Sequence, residues 1–384
     1  MEHLLNPAVM DIQISGIRSF LTQLSRVPDA ISLTIGQPDF PTPDHVKNAA
    51  IAAILRNETT YTPNAGLPEL RAAIARFVKV KYQQQYDPAA DILVTCGASQ
   101  AIDITLRTLV VPGAEVILPD PVYPGYAPII TMMGAQPVFV DTTQHDFALT
   151  AELIEAHLTP RTKAIILPYP SNPTGCTLHA AQLDAIANLL KSREVFVVSD
   201  EIYSELVFGG QHESIATRPG MREKTIVING LSKSHAMTGW RIGYTLAPAE
   251  VTKHLLKVQQ YSVSCASRIS QFAAIEALQN GSDDAAPMHR AYQNRRDYIV
   301  RELRQMNLDV KTPNGAFYVF PSICATGLSS LEFAERLLYE ARVGVVPGTA
   351  FGSRGEGYVR ISYATNEANL EEAMRRLHIW LKST

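Results

Sequence analysis

Asn229-Gly230-Leu231-Ser232-Lys233-Ser234-His235-Ala236-Met237-Thr238-Gly239-Trp240-Arg241-Ile242-Gly243 sets a lysine and an arginine on a polar, glycine-punctuated loop between two uncharged runs. Those runs, Thr225-Ile228 before it and Ile242-Leu246 after it, are short and apolar enough to read as buried strands. The interval between them is cramped for a helical crossover, so the second strand is expected to lie antiparallel, at an edge or end of its sheet. Ligands gather at strand ends in open α/β sheets, and a lysine held there can form a Schiff base with a carbonyl cofactor. Neighbouring positive charge lowers the pKa of such a lysine and raises the fraction of free amine that attacks. Arg241 is placed to supply that charge and to grip a phosphate bidentately. Either residue taken singly would read as an exposed side chain in a connecting loop; the whole phrase points to a site.

Outward from this loop the same texture repeats. The runs Ile92-Val94, Val116-Leu118, Val138-Val140, Ala164-Leu167 and Val195-Val198 alternate with longer amphipathic stretches, which predicts an α/β fold with a mostly parallel seven-stranded sheet flanked by helices. Apolar residues at consecutive positions imply that helices cover both faces. After Pro68, the recurrence of Leu70, Ile74, Phe77 and Val78 predicts a helix packed on the sheet, with the proline in its first turn. Beyond about residue 285 a charged helical stretch through Arg295 to Leu303 is followed by short strands, Ala316-Phe320, Val343-Val346 and Tyr358-Ile361, alternating with helices. Residues 39–285 are therefore expected to form a large cofactor-binding domain, and residues 1–38 with 286–384 a smaller α+β domain.

Two further segments carry chemistry. Val195-Phe196-Val197-Val198-Ser199-Asp200 delivers Asp200 to a strand's carboxyl end, where a carboxylate facing an apolar interior needs a cation. A protonated pyridine nitrogen meets that need, and keeping it protonated makes the ring an electron sink. Tyr203, three residues on, is in reach of the ring's phenolic oxygen. As a bare pattern, a strand-end aspartate also suits a helix cap or a metal ligand. Thr95-Cys96-Gly97-Ala98-Ser99-Gln100-Ala101 turns from a strand into a helix running to about Val110, and a helix N-terminus presents free N–H groups to an anion such as phosphate. Capping of that helix by Ser99 is the plain alternative.

Composition narrows the class. With 34 Lys and Arg against 37 Asp and Glu, the net charge of -3 gives no electrostatic reason to expect nucleic acid or an anionic membrane as partner. The four cysteines are scattered, with no His at metal-ligand spacing, and read as reduced thiols. Met1 to Phe20 lacks the apolar run of a signal peptide, no later segment reads as a membrane span, and a cytoplasmic location is expected. No GxGxxG follows a strand, which argues against a nicotinamide dehydrogenase, and no basic helix-turn-helix segment suggests a DNA-reading regulator.

Together with Pro168-Tyr169-Pro170-Ser171-Asn172-Pro173-Thr174-Gly175, Leu33-Thr34-Ile35-Gly36-Gln37-Pro38-Asp39-Phe40, Tyr61-Thr62-Pro63-Asn64-Ala65-Gly66 and Gly357-Tyr358-Val359-Arg360-Ile361-Ser362, these segments resemble, across essentially the whole chain, the class I and II aminotransferases of the aspartate-aminotransferase-like fold type I. The resemblance implies an enzyme that carries pyridoxal 5'-phosphate and moves amino groups between amino acids and 2-oxo acids. It implies that Lys233 holds the cofactor and shuttles the substrate's α-proton, and that Asp200 pairs with the ring nitrogen. Asn172 and Tyr203 would bond the phenolic oxygen and Tyr123 would stack on the ring. Ala98, Ser99 and Arg241 would hold the phosphate, with Tyr61 reaching the phosphate of a second copy in a homodimer. Arg360 would take the substrate carboxylate, with the backbone of Gly36 and the side chain of Asn172 alongside. Many relatives place a phosphate-binding serine three positions before the lysine; here Gly230 stands there, so either Ser232 or another residue supplies the contact or it is absent. Within the family the opening Met1-Glu2-His3-Leu4-Leu5-Asn6-Pro7 and Ser32-Leu33-Thr34-Ile35-Gly36-Gln37-Pro38 are similar to the bacterial branch that acts on N-acetyl-LL-diaminopimelate in lysine biosynthesis. Aspartate, aromatic or alanine transamination and a C–S β-lyase activity are the alternatives within the same chemistry.

Overall fold

The computed structural model describes residues 1–10, 12–14 and 16–383. Near the start of the chain lies a two-residue strand, β1 (Ile31–Ser32). The apolar runs then pair into one sheet built from β2 (Ile92–Thr95), β3 (Glu115–Asp120), β4 (Gln136–Asp141), β5 (Thr162–Leu167), β6 (Phe196–Asp200), β7 (Thr225–Gly230) and β8 (Gly243–Leu246). Their order is β2-β8-β7-β6-β5-β3-β4. The β3, β4, β5, β6 and β7 neighbours pair in parallel, whereas β8 is antiparallel to both β7 and β2.

Two sequence expectations are corrected here. The run Ile242-Leu246 is antiparallel as expected, but β8 is not an edge strand: β2 pairs along its outer side, from Ile92 opposite Leu246 to Thr95 opposite Gly243. A short return loop decides strand direction, not position in the order. Burial on both faces also fails at the other edge, where Phe139 of β4 is 43% exposed. The strands β3, β7 and β8 and the edge strand β2 are buried at every residue, and the helix Pro68–Tyr82 packs beside them with Pro68 in its first turn and Leu70, Ile74, Phe77 and Val78 buried.

The later part of the chain contributes the helices Ala285–Gln305, Ser330–Ala341 and Glu367–Ser383 and the strands β9 (Tyr318–Val319), β10 (Val343–Gly344), β11 (Val346–Pro347) and β12 (Val359–Ser362). β12 sits between β11 and β9, antiparallel to both, while Ile31 of β1 pairs in parallel with Val343 of β10. The core under these elements includes Phe20 and Leu33 from the start of the chain, Phe333, Leu337 and Trp380 from the helices, and Tyr203, Leu206 and Phe208 from just beyond β6. One apolar cluster thus joins the beginning, middle and end of the chain. Among the described residues no helix is long and apolar enough to cross a membrane, and no group of His, Cys, Asp or Glu side chains is arranged to hold a metal ion.

Candidate active site

The parallel strands all end on one side of the sheet, and the segments leaving β2, β3, β5, β6 and β7 there line a cavity of about 330 Å³. Every residue singled out from the sequence lines it except Tyr61, which lies outside and is 84% exposed.

Asp200 closes β6 behind the buried Val197 and Val198. Its carboxylate accepts from the Tyr126 hydroxyl at 2.7 Å and the Ile202 N–H at 3.2 Å, both neutral partners. Burial pushes Asp200 up to about 6, with the hydrogen bonds from Tyr126 and Ile202 opposing. A buried carboxylate so placed lacks the cation that would balance it.

Lys233 stands on the loop after β7, its Nζ donating to the Gly36 carbonyl at 2.7 Å and lying 5.8 Å from the centroids of the Tyr203 and Phe317 rings. Burial lowers its pKa to about 8, and the positive charges of Arg360 and then Arg241 add to the effect. The sequence reading named neighbouring charge, and Arg241, as the cause. In the folded protein desolvation comes first, and Arg360 outranks Arg241.

Arg360, on β12, is only 2% exposed. It donates through Nη1 to Asn172 Oδ1 at 2.9 Å and through Nη2 to the Thr34 carbonyl at 2.5 Å, and its Nε has no hydrogen-bond partner among the described residues. The guanidinium lies over the rings of Tyr318 (4.5 Å to the centroid) and Phe351 (4.9 Å). Burial lowers its pKa. A cation walled by aromatic faces and neutral acceptors is a receiver for an anion from outside. Tyr203, whose hydroxyl was expected to face a ligand, pairs with the Tyr318 hydroxyl at 2.9 Å.

On the opposite side the helix Ala98–Leu109 begins after Gly97, whose φ of +79° suits glycine, and no side chain caps it. Capping by Ser99 is therefore corrected: Gly97 holds the cap position and Ser99 lies inside the first turn. A Cβ on Gly97 would stand 2.5 Å from Arg241 Nη2, and one on Gly243 2.5 Å from the Ala98 nitrogen. These two glycines let the guanidinium and the helix N-terminus close around one small space, a cradle for an anion. Arg241 itself donates to the Thr238 carbonyl at 2.9 Å. A Cβ on Gly230 would lie 2.8 Å from the Ile242 carbonyl oxygen, because Gly230 pairs with Gly243 between β7 and β8. No serine fits there, and the cavity's nearby hydroxyls are those of Ser99, Ser232 and Thr238.

Sequence reasoning missed Tyr126, Tyr318 and the Thr34 carbonyl. Tyr126 follows Tyr123 by three residues, at the start of the helix Tyr126–Met132, a proximity that was readable; nothing local distinguishes Tyr318 from its neighbour Phe317.

This geometry meets a matching lineage. The family model described as aminotransferase class I and II matches residues 28–377. The chain belongs to the class I and II aminotransferases. Among members of the family, a protein of Bacillus subtilis (strain 168) named probable N-acetyl-LL-diaminopimelate aminotransferase is 57% identical over 381 residues, covering 99% of this chain and 96% of its own length. An aspartate aminotransferase of Pyrococcus abyssi is 43% identical, covering 94% of each chain. The solved structure of the aspartate aminotransferase from Rhizobium meliloti superposes with a TM-score of 0.94 at 36% identity, covering 98% of both chains, so the fold is the one the family shares. The structure and the relatives agree that this chain is an aminotransferase.

Proposed function

We propose that this aminotransferase uses pyridoxal 5'-phosphate to exchange an amino group between N-acetyl-LL-2,6-diaminopimelate and 2-oxoglutarate in lysine biosynthesis. One observation carries the cofactor reading: a partly dehydrated amine, Lys233, stands between a buried carboxylate without a cation, Asp200, and a buried guanidinium without an anion, Arg360. The 57% relative, which spans nearly the whole chain, supports the finer assignment of substrate. The relative named for aspartate keeps that donor as the second reading.

The residues fit the cofactor. The cavity is of the size used for small cofactors, Asp200 lacks a cationic partner, and Gly97 and Gly243 leave the cradle beside Arg241 open. When bound, pyridoxal phosphate supplies an aldehyde that captures amines and a ring that withdraws electrons. Ala98, Ser99, Ser232 and Arg241 would hold its phosphate, Asp200 its ring nitrogen, Asn172 and Tyr203 its phenolic oxygen, and Tyr123 its face. Lys233 would hold it through Nζ and, as a free amine, would move the substrate's α-proton between Cα and the cofactor's C4' carbon. Arg360 orients the substrate by its α-carboxylate beside Gly36 and Asn172, while Tyr203 and Phe317 keep water from the amine.

The same reading has the chain working in the cytoplasm as a homodimer, with the exposed Tyr61 reaching into the site of the second copy, and with residues 39–285 carrying the cofactor while 1–38 and 286–384 close over it. Steady-state assays with 2-oxoglutarate and a panel of donors test it: the acetylated diamino acid is expected to give the highest kcat/KM. Higher values with aspartate, an aromatic amino acid or alanine would reassign the donor, and release of ammonia and pyruvate without an acceptor would reassign the reaction to a lyase.

A further inference from the structure

Beside the cavity lies a second hollow, a groove of about 540 Å³, and Tyr123 forms part of the wall of both. We infer that this groove is the subsite for the acylated end of a diamino acid, with Gln23 recognising the amide. The inference rests on the substrate class proposed above and adds to it a place and a specificity residue.

The groove is bordered by Ile12, Ile14, Val122, Pro124 and Phe351, and by the helix Gly16–Leu24, whose Gly16, Phe20 and Gln23 recur at the spacing of one helical face. Ile17 of the same helix lines the cavity, so a single element borders both spaces. Next to Tyr123 the backbone ties the lining together, the Val122 N–H donating to the Phe351 carbonyl at 2.8 Å. Gly16 allows the helix to approach, since a Cβ there would stand 3.0 Å from the Ala350 Cβ. A substrate held by Arg360 and extending past Tyr123 therefore runs into this groove.

Two properties select the occupant. Among the described residues lining the groove there is no Asp, Glu, Lys, Arg or His. A free ε-ammonium would lose its hydration there with no carboxylate in the lining to replace it, since the nearby Asp120 stands behind Gly352 and already accepts from Ser353 Oγ and the Arg354 N–H, whereas acylation removes that charge and leaves an apolar methyl and an amide. The second property is the orphan acceptor: Gln23 Oε1 is buried and has no hydrogen-bond partner among the described residues. A buried acceptor left unpaired is unfavourable, and an amide N–H from a ligand would satisfy it. A secondary amide also carries a carbonyl that can receive the Gln23 amide N–H, so the two groups complement one another. The carboxylate at the same end of the proposed donor remains at the open rim, where the exposed Arg18 on this helix lies close enough to Tyr123 to act on it electrostatically.

The test is a two-by-two comparison on the holoenzyme. Competitive inhibition constants are measured for 6-acetamidohexanoate and for nonanoate, a chain of equal length without the amide, in wild type and in Gln23→Leu. Removing the acceptor should weaken the acetamido acid about tenfold relative to nonanoate, the size expected of one hydrogen bond. Gln23→Asn, which withdraws the amide by one methylene, should give a loss in the same direction and serves should the leucine variant not fold; thermal unfolding midpoints check both. Equal shifts for the two acids, or none, would overturn the subsite. Turnover of N-acetyl-LL-diaminopimelate by wild type is recorded alongside. If that donor is turned over and the inhibition ratio does not change, the subsite alone falls; if the ratio changes and the donor is inert, the substrate reading alone falls.

Discussion

One wall of the cavity, carrying Asp200, Lys233 and Arg241, comes from adjacent strands and the loop between them, while another is assembled from Gly36, Asn172, Tyr318 and Arg360, with the Thr34 carbonyl holding Arg360, drawn from both ends and the middle of the chain. Neighbouring ladders in the sheet hold the first wall. The second depends on single long-range bonds: Arg360 to the Thr34 carbonyl across 326 positions, and Lys233 to the Gly36 carbonyl across 197. The contrast suggests a division of labour in which the sheet wall holds the group that performs the chemistry and the assembled wall receives and orients the substrate. It also makes the lysine's low pKa a joint product, since its own burial and the charge of Arg360 from the other wall act together.

The sharpest attempt to break this contrast is Lys233→Ala. Loss of turnover by about 10⁴-fold or more is expected, together with loss of the visible absorbance of bound pyridoxal phosphate. Activity near wild type would take the chemistry away from the sheet wall altogether. On the other wall, Arg360→Ala removes a buried cation that pairs with the incoming carboxylate, and kcat/KM should fall by about 10²-fold or more through a raised KM, with the cofactor still bound. If cofactor binding is lost as well, the two walls do not have separate tasks.

Their coupling is read by pH. A protonated amine cannot attack, so uptake of pyridoxal phosphate by the apoprotein should rise about tenfold per pH unit and level off near pH 8, the value to which burial and Arg360 depress Lys233. In Arg360→Ala the plateau should move to higher pH, because one of the charges holding the amine down is gone. A plateau that stays in place would mean that burial alone sets it. The smallest effect is expected from Gly230→Ser, which puts there the serine that the family resemblance leads one to expect but forces a side chain against the Ile242 carbonyl. It should lower stability by about 1–3 kcal/mol in denaturant unfolding without tightening the phosphate. A gain in cofactor affinity would show that β8 yields.

Much of this was legible beforehand. The strands, the antiparallel sense of Ile242-Leu246, the helix after Pro68 and the candidates Asp200, Lys233 and Arg241 follow from periodicities and short phrases, because strands buried on both faces leave a continuous apolar signature and a site at strand ends leaves a polar one next to it; the other candidates, Arg360 and Asn172 among them, came from the family resemblance. Position in the sheet was not legible, as β8 shows, since a sequence records how a strand returns and not which strand it meets on its other side. Nor were Tyr126 as the partner of Asp200, Tyr318 as the partner of Tyr203 or the crowding at Gly230, all of which depend on what another segment brings.

By itself the amino-acid sequence determined the alternation of strand and helix, the chemical kinds of group available and their places at strand ends, since these depend on local pattern and residue chemistry. Only the tertiary structure decided the electrostatics: which charges face Lys233, which carboxylate and guanidinium stand without counter-ions, and which acceptor in the neighbouring groove is left unpaired. Burial and charge pairing are properties of the space between segments, and that space exists only once distant parts of the chain have packed together.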